Sequence, residues 1–555
     1  MPPRYSPPVD GYSDPHSSNQ PILKKGRACA NCRRRKMRCD GLQPICGSCM
    51  RTDKAEDCEY TTGSERSTSQ KLEEEIERLQ TKLRHLQTPS QPTQSLTLQQ
   101  PYAPESRSRL PSPDLKEPPQ YITQILVDIF LAHGSQYGFF LHPGRFRSSV
   151  FFSGPVGHGS RPSPSLLSVM YLLGIHLSQD PEIKRHEKTY FDFALHQVAQ
   201  DTVSITSQVQ HRLHVIQAEV ILSHYFFSNK RMLEGKYHLN SAYSLCIASG
   251  IHKMKTSNPL GCTLPPANDD IEEGERVNAC WAIFTLDKGW AGVMNYTPNF
   301  SSPNVGGVRI DTPFPREIEE YESGHYRCER REAAALNNFI ANSEHRGETL
   351  TSRTFHVKAA FLYEQARALS QASTTQLSGK QQCEFTDSFL HFRNLAMGFK
   401  SSLPPFETWL RNPNMDIVRT AYVACTLLDA ALIRFHGIAA AQGDEKAPQL
   451  RMISAQETFN NSIRLMGASW NFGFLDPIIG FAWREAFDVL LEELNIRSAQ
   501  FAWAARHCAS EEDPLRRQLR KGVSSFAIYR NSSSFISHEV EGMTNLLHGT
   551  PIMPM

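Results

Sequence analysis

Cys29-Ala-Asn-Cys32-Arg-Arg-Arg-Lys-Met-Arg-Cys39-Asp-Gly-Leu-Gln-Pro-Ile-Cys46-Gly-Ser-Cys49-Met-Arg-Thr-Asp-Lys-Ala-Glu-Asp-Cys58 sets six cysteines at spacings of x2, x6, x6, x2 and x8. A stretch this short cannot bury enough apolar surface to fold alone and needs a cross-link or a metal. Two tetrahedral zinc ions require eight thiolate positions, and six cysteines supply them only if two of the six bridge both metals. A single zinc uses four and leaves two reactive thiols. The stretch is also a pseudo-repeat: each half is Cys-x2-Cys, a helix-compatible run, and a closing Cys. The first run carries Arg33, Arg34, Arg35, Lys36 and Arg38, whereas the second mixes Arg51 and Lys54 with Asp53, Glu56 and Asp57. Only the first half can face a phosphate backbone comfortably.

Working outward, the charge is local. Lys24 to Arg51 holds nine Lys or Arg against one acid, Asp40, while the whole 555-residue chain has a net charge of only +2. A basic module is therefore joined to a mildly acidic body, and 40% hydrophobic residues suffice for a large core. Met1 to Gln20 is Pro- and Ser-rich without the apolar run of a secretory signal, so the cysteines are expected in a reducing compartment. That disfavours a disulfide framework. A structural zinc module without a DNA role remains an alternative, although it has no need of five cations in one six-residue gap. The seven other cysteines (Cys246, Cys262, Cys280, Cys328, Cys383, Cys425 and Cys508) are scattered and are expected to be small buried hydrophobes. The most apolar segment, Thr420 to Phe435, contains Asp429 and Arg434, which argues against a membrane span.

Residues 24 to 60 resemble the fungal Zn2Cys6 binuclear-cluster DNA-binding domain. The resemblance rests on the cysteine spacing, the basic run, Asp40 after the third cysteine and Pro44 two before the fourth. It implies two Zn2+ ions held by Cys29, Cys32, Cys39, Cys46, Cys49 and Cys58, with Cys29 and Cys46 bridging. It implies that Lys36 reads bases of a CGG triplet with Arg35 beside it, and that Pro44 shapes the joining loop, often through a cis bond. Lys and Arg suit guanine O6 and N7. An uninterrupted helix from Cys32 would turn residues 35 and 36 toward the metal side, so Lys36 reaches a base only if the helix ends beside it. Arg33, Arg34, Arg38, Arg27, Lys24 and Lys25 are then expected as phosphate contacts, and the basic clusters also fit a nuclear-import signal.

Downstream, 61–70 is a polar linker. Leu72, Ile76, Leu79, Leu83 and Leu86 recur at steps of four and three over 71–87, which predicts a short coiled coil and a homodimer; the alternative is an amphipathic helix folded onto the body. From 88 to 120 the chain is rich in Pro, Ser, Gln and Thr and reads as a disordered spacer, as does the N-terminus to residue 23.

From Tyr121 to the end, 121–555, helical stripes predominate: Ile122 to Phe130 with Gly134 as a stop, then Leu166–Leu177, His211–Phe227, Leu239–Ala248, Val277–Val293, Ile417–Phe435 and Ala486–Ile496. The expected fold class is mostly α: a small Zn2Cys6 module, a short coiled coil, a spacer and a large all-helical body. Part of the body resembles the middle homology region of fungal regulators, through Glu275-Arg276, Trp281 to Lys288, Pro298 and Val308 to Pro315, with Tyr296-Thr297-Pro298 where the family has Gly-Arg-Pro. That resemblance implies a regulatory role and a small-molecule effector.

No catalytic constellation stands out. His186-Glu187-Lys188-Thr189-Tyr190 lacks the second histidine of a zinc-protease helix, and Gly-x-Ser-x-Gly, P-loop and dinucleotide fingerprints are absent. His211 and His214 are expected to be surface or satisfied histidines, and Trp281, Phe284 and Trp290 core. The expected function is that of a nuclear, sequence-specific transcription regulator binding CGG-type triplets in double-stranded DNA. The alternative is a zinc-dependent protein-interaction or scaffold protein whose helical body is the working part.

Overall fold

The computed structural model describes residues 27–60, 74–81, 117–204, 208–254, 264–300, 310–324, 335–342, 350–467, 473–504 and 513–549. The tail to residue 23, Lys24, Lys25, the 61–70 linker, Leu72, Leu83, Leu86 and the spacer as far as 116 lie outside them, as do Cys262, Cys328 and Cys508. All secondary structure among the described residues is helical. Contacts divide the chain into two compact units, 1–110 and 111–555.

In the first unit, two short helices follow directly from the Cys-x2-Cys pairs: α1 (Ala30–Arg34) and α2 (Gly47–Arg51). Cys29 and Cys46 occupy the N-cap positions, their sulfurs accepting the N–H of Cys32 at 3.4 Å and of Cys49 at 3.3 Å. The cap role usually taken by Ser or Asp is here filled by sulfur. Residues 74–81 form a third helix, α3, on which Ile76 and Leu79 are about half exposed.

In the second unit, α4 (Gln120–His133) buries Leu126, Val127 and Phe130 and gives way at Gly134 to a 3-10 turn, Gly134–Tyr137. Gly138 follows with φ +74°, where a Cβ would lie 2.6 Å from Val220. Helices α5 (Pro143–Val150), α6 (Pro164–Leu177) and α7 (Pro181–Lys184) each open on proline, whose missing N–H is one the first turn leaves unbonded anyway. Then come α8 (Glu187–Val203), α9 (Val209–Ser228), α10 (Met232–Ser249) and α11 (Asp270–Met294). The short α12 (Ile318–Glu322) and α13 (Ala335–Ile340) precede α14 (Ser352–Ala372), α15 (Gly379–Ser402) and α16 (Phe406–Leu410). The chain closes with α17 (Met415–Ala441), α18 (Ala447–Gly467), α19 (Ile479–Ala504), α20 (Pro514–Ala527) and α21 (Ser534–Gly549).

The hub is α17, packed against α14, α18 and α19. It is long and apolar enough to cross a membrane, but 83% of its most apolar window is buried among its neighbours, as befits a central core helix. One continuous apolar core runs from α4 to α21. Each apolar stripe expected from the sequence falls within an observed helix. Other helices were missed, and α14 shows why: Lys358 and Glu364 interrupt its apolar pattern yet face inward. Lys358 is 4% exposed with its ammonium about 5.0 Å from the Phe314 and Phe339 ring centres, and Glu364 takes the Lys288 ammonium at 2.9 Å. Trp281, Phe284 and Trp290 are core residues, each 1% exposed. His214 is buried and satisfied, accepting the Ser163 N–H at 3.2 Å through Nδ1. Cys246, Cys280 and Cys425 are buried as expected, but Cys383 is exposed on α15, where polar neighbours form the outer face.

Candidate zinc centre and nucleic-acid interface

The cysteine sulfurs form two groups of four, Cys29/Cys32/Cys39/Cys46 and Cys29/Cys46/Cys49/Cys58, each with all its sulfurs within 4.8 Å of one another. The groups share Cys29 and Cys46, the two N-cap residues. Thiolates at about 2.3 Å from a tetrahedral zinc stand roughly 3.8 Å apart. The observed separations within the groups are 3.7 Å for Cys29–Cys46, 3.7 Å for Cys29–Cys49 and 3.6 Å for Cys32–Cys46. A disulfide needs about 2.05 Å, and all six are free thiols.

The chemistry of the donors points the same way. Burial pushes the Cys29 thiol well above its ordinary range and Cys32 up to about 12. A divalent cation reverses that preference by stabilising the thiolates it binds. Cys49 is held below its ordinary value: burial raises it, but the Asn31 amide at 3.3 Å and the surrounding thiols outweigh that. Asn31 was missed in the sequence, because a residue inside a Cys-x2-Cys pair gives no sign that its side chain turns back onto the opposite half. Tyr60 was missed too; its hydroxyl donates to the Leu42 carbonyl at 2.9 Å and lies 3.8 Å from the Cys39 sulfur. Asp40 ties the halves together, with both carboxylate oxygens accepting the Gly47 N–H, at 3.1 and 2.9 Å. The Gln43–Pro44 peptide bond is cis.

The halves are the same backbone unit seventeen residues apart. After α1 the Lys36 N–H meets the Arg33 carbonyl and the Met37 N–H meets that of Cys32; after α2, Asp53 and Lys54 bond Met50 and Cys49 in the same way. Lys36 and Asp53 both have φ +52°, a region non-glycine residues seldom occupy. The helix therefore ends at Arg34, with Arg35 as its cap, and the continuous helix that would turn Lys36 toward the metal does not form. Arg27 and every residue from Arg33 to Arg38 are exposed. Arg33 additionally donates to the Ala28 carbonyl at 2.9 Å. The first half thus presents a cation at the left-handed corner and the second an anion.

Two family models match. One described as the fungal Zn(2)-Cys(6) binuclear cluster domain matches residues 27–67, and one described as the fungal specific transcription factor domain matches residues 127–399. The chain is a fungal zinc-cluster transcription regulator. No curated protein matches it. The cysteine module of this regulator is a zinc-binding, DNA-binding domain, and both families are of transcription factors, not enzymes.

In its body, the middle-homology residues are structural. Glu275 accepts the His142 N–H at 2.8 Å, Arg276 bridges Glu272 and the Pro265 carbonyl, and Trp281 Nε1 donates to the Pro313 carbonyl. Asp287 accepts the Phe300 N–H at 3.0 Å and the Lys236 ammonium at 3.2 Å, which fixes the turn around Tyr296-Thr297-Pro298. Helices α16 to α21 lie beyond the matched segment yet share its core.

Proposed function

We propose that the regulator acts in the nucleus, recognises CGG-type triplets through Lys36 and Arg35, and binds as a homodimer. Cys29 and Cys46 would bridge two zinc ions, with Cys32 and Cys39 completing one site and Cys49 and Cys58 the other. Zinc held this way is closed to water and serves folding alone. Arg27, Arg33, Arg34 and Arg38, together with Lys24 and Lys25, would anchor phosphates. The observation that carries the reading is Lys36, exposed at a left-handed corner immediately past the end of α1. Half-exposed Ile76 and Leu79 on α3 support dimerisation through Leu72, Ile76, Leu79, Leu83 and Leu86. The tether over 59–71 reaches at most about 43–47 Å extended, more than the roughly 34 Å of one DNA turn, so half-sites at either close or distant spacing are within reach. The body would take a small-molecule effector.

The test is affinity of the zinc-loaded chain for a CGG-bearing duplex and for a scrambled one, from low to high salt. Steep salt dependence on both, with the CGG duplex retaining a large advantage, is the expected result. Equal affinity for the two would leave the module a non-specific or protein-binding element.

A further inference from the structure

The body contains a cavity of about 80 Å³ between the 3-10 turn at Gly134–Tyr137, α9, α11, α14, α17 and the segment preceding α19. Its size matters first. A water needs roughly 10–15 Å³, so the space suits a molecule of about five to eight non-hydrogen atoms.

Its lining matters more. Most buried polar side chains in this body are tied to a partner, as Glu219, Asp287 and Glu364 are. Two that line this cavity are not: His224 Nδ1 and Asn278 Oδ1 are buried without a hydrogen-bond partner, in residues 4% and 2% exposed. Leaving such groups unpaired in an apolar interior is unfavourable, which marks a place prepared for a polar guest. Arg353 also lines the space and is about a quarter exposed. Its Nε lies 3.5 Å from a Glu317 carboxylate oxygen. A guanidinium is a planar fork of donors that pairs with a carboxylate. The opposite walls are apolar, formed by Phe139, Trp281, Val357 and Val423. Asp476 is the one acid in the lining, and burial raises its pKa to about 7, so near neutrality much of it is a neutral acid able to donate to an anion.

We propose that this cavity binds a small monocarboxylate, its anion on the Arg353 guanidinium, its polar substituent toward Asn278 and His224, and its hydrocarbon end against Trp281 and Val423. The proposal deepens the effector reading above and rests on it. A ligand there would touch α9, α11, α14 and α17 together, the helices at the centre of the body.

The experiment is calorimetric titration of the full-length, zinc-loaded chain with propionate and L-lactate, using propionamide as the uncharged isostere. The carboxylates are expected to bind at least tenfold more tightly than the amide. Arg353→Gln is expected to weaken propionate at least tenfold, and Ala282→Leu, which fills the cavity from α11, to remove binding while the chain stays folded. Absence of binding by both carboxylates, equal affinities for propionate and propionamide, or unchanged affinity in both variants overturns the proposal. Affinity for the CGG duplex, measured on the same preparations, separates the two claims. Lost DNA recognition with propionate still bound breaks the DNA reading alone, and intact recognition without propionate binding breaks this one alone.

Discussion

The cysteine module and the helical body solve the folding problem by opposite means. In the module the buried core is four cysteines, Cys29, Cys32, Cys46 and Cys49, with little apolar surface around them. In the body an apolar core extends from Leu126 to Leu547, and its largest fully buried side chains are Trp281, Trp290 and Trp483. A fold held by a few ligands concentrates its information in a few positions, whereas a fold held by packing spreads it over many. Function is legible where information is concentrated.

The largest effect that sharpens this contrast is metal removal. Chelation, or Cys29→Ala at a shared position, should unfold the module, since structural zinc contributes on the order of 10–16 kcal/mol in finger peptides. Far-ultraviolet circular dichroism should lose little, because the body's helices do not depend on zinc, while DNA binding disappears. Cys29→Ala protein that retains both zincs and binds DNA normally breaks the comparison.

Trp483→Ala is the converse. Trp483 is fully buried, stacks on Phe526 at 4.2 Å and donates to the Tyr422 hydroxyl at 3.1 Å. Its truncation should cost the body about 3–5 kcal/mol, read as a lower midpoint in urea, with zinc content unchanged.

Within the module the comparison narrows to two corners of identical backbone. Lys36→Ala should weaken binding to a CGG duplex by about 1–3 kcal/mol and leave zinc content alone, whereas Asp53→Ala should change it by less than about 0.5 kcal/mol. Equal losses from Lys36→Ala on cognate and random DNA would make Lys36 a phosphate contact.

Acid separates the two regions again. Burial lowers the pKa of His133, His214, His356 and His436 to about 4 and of His224 to about 3. Their depressed folded values mean that the unfolded chain takes up protons first, so the body loses stability as pH falls from about 6.5 toward 4. Asp476, raised to about 7, and Asp429, raised to about 6, work in the opposite direction and offset two histidines. Five such histidines outnumber the two offsetting carboxylates, so at roughly 1 kcal/mol per uncompensated group the body should lose on the order of 3 kcal/mol between pH 6.5 and 5.5. Urea midpoints at pH 6.5 and 5.5 check it; a higher midpoint at 5.5 contradicts the assignment.

The cysteine spacing announced a metal module, while the sharing of Cys29 and Cys46 came only from the family resemblance. What the sequence hid was local geometry: nothing in the basic run announces that α1 stops at Arg34 and turns Lys36 outward, or that Asn31 reaches Cys49. In the body, stripes such as Ile417–Phe435 reveal a helix wherever neighbours cover it with apolar side chains. Helix α14 escaped because its inward face carries Lys358 and Glu364, whose partners lie far along the chain. The cavity was illegible for the same reason, since Asn278, Arg353 and Asp476 converge only through packing.

The most direct test of the central claim is selection from a random DNA pool by the zinc-loaded chain, followed by sequencing. Enrichment of CGG or CCG triplets at one fixed spacing is the predicted result, and it carries recognition and dimerisation together. No enriched sequence, from protein shown to be folded and to hold its zinc, contradicts the claim that this module reads DNA.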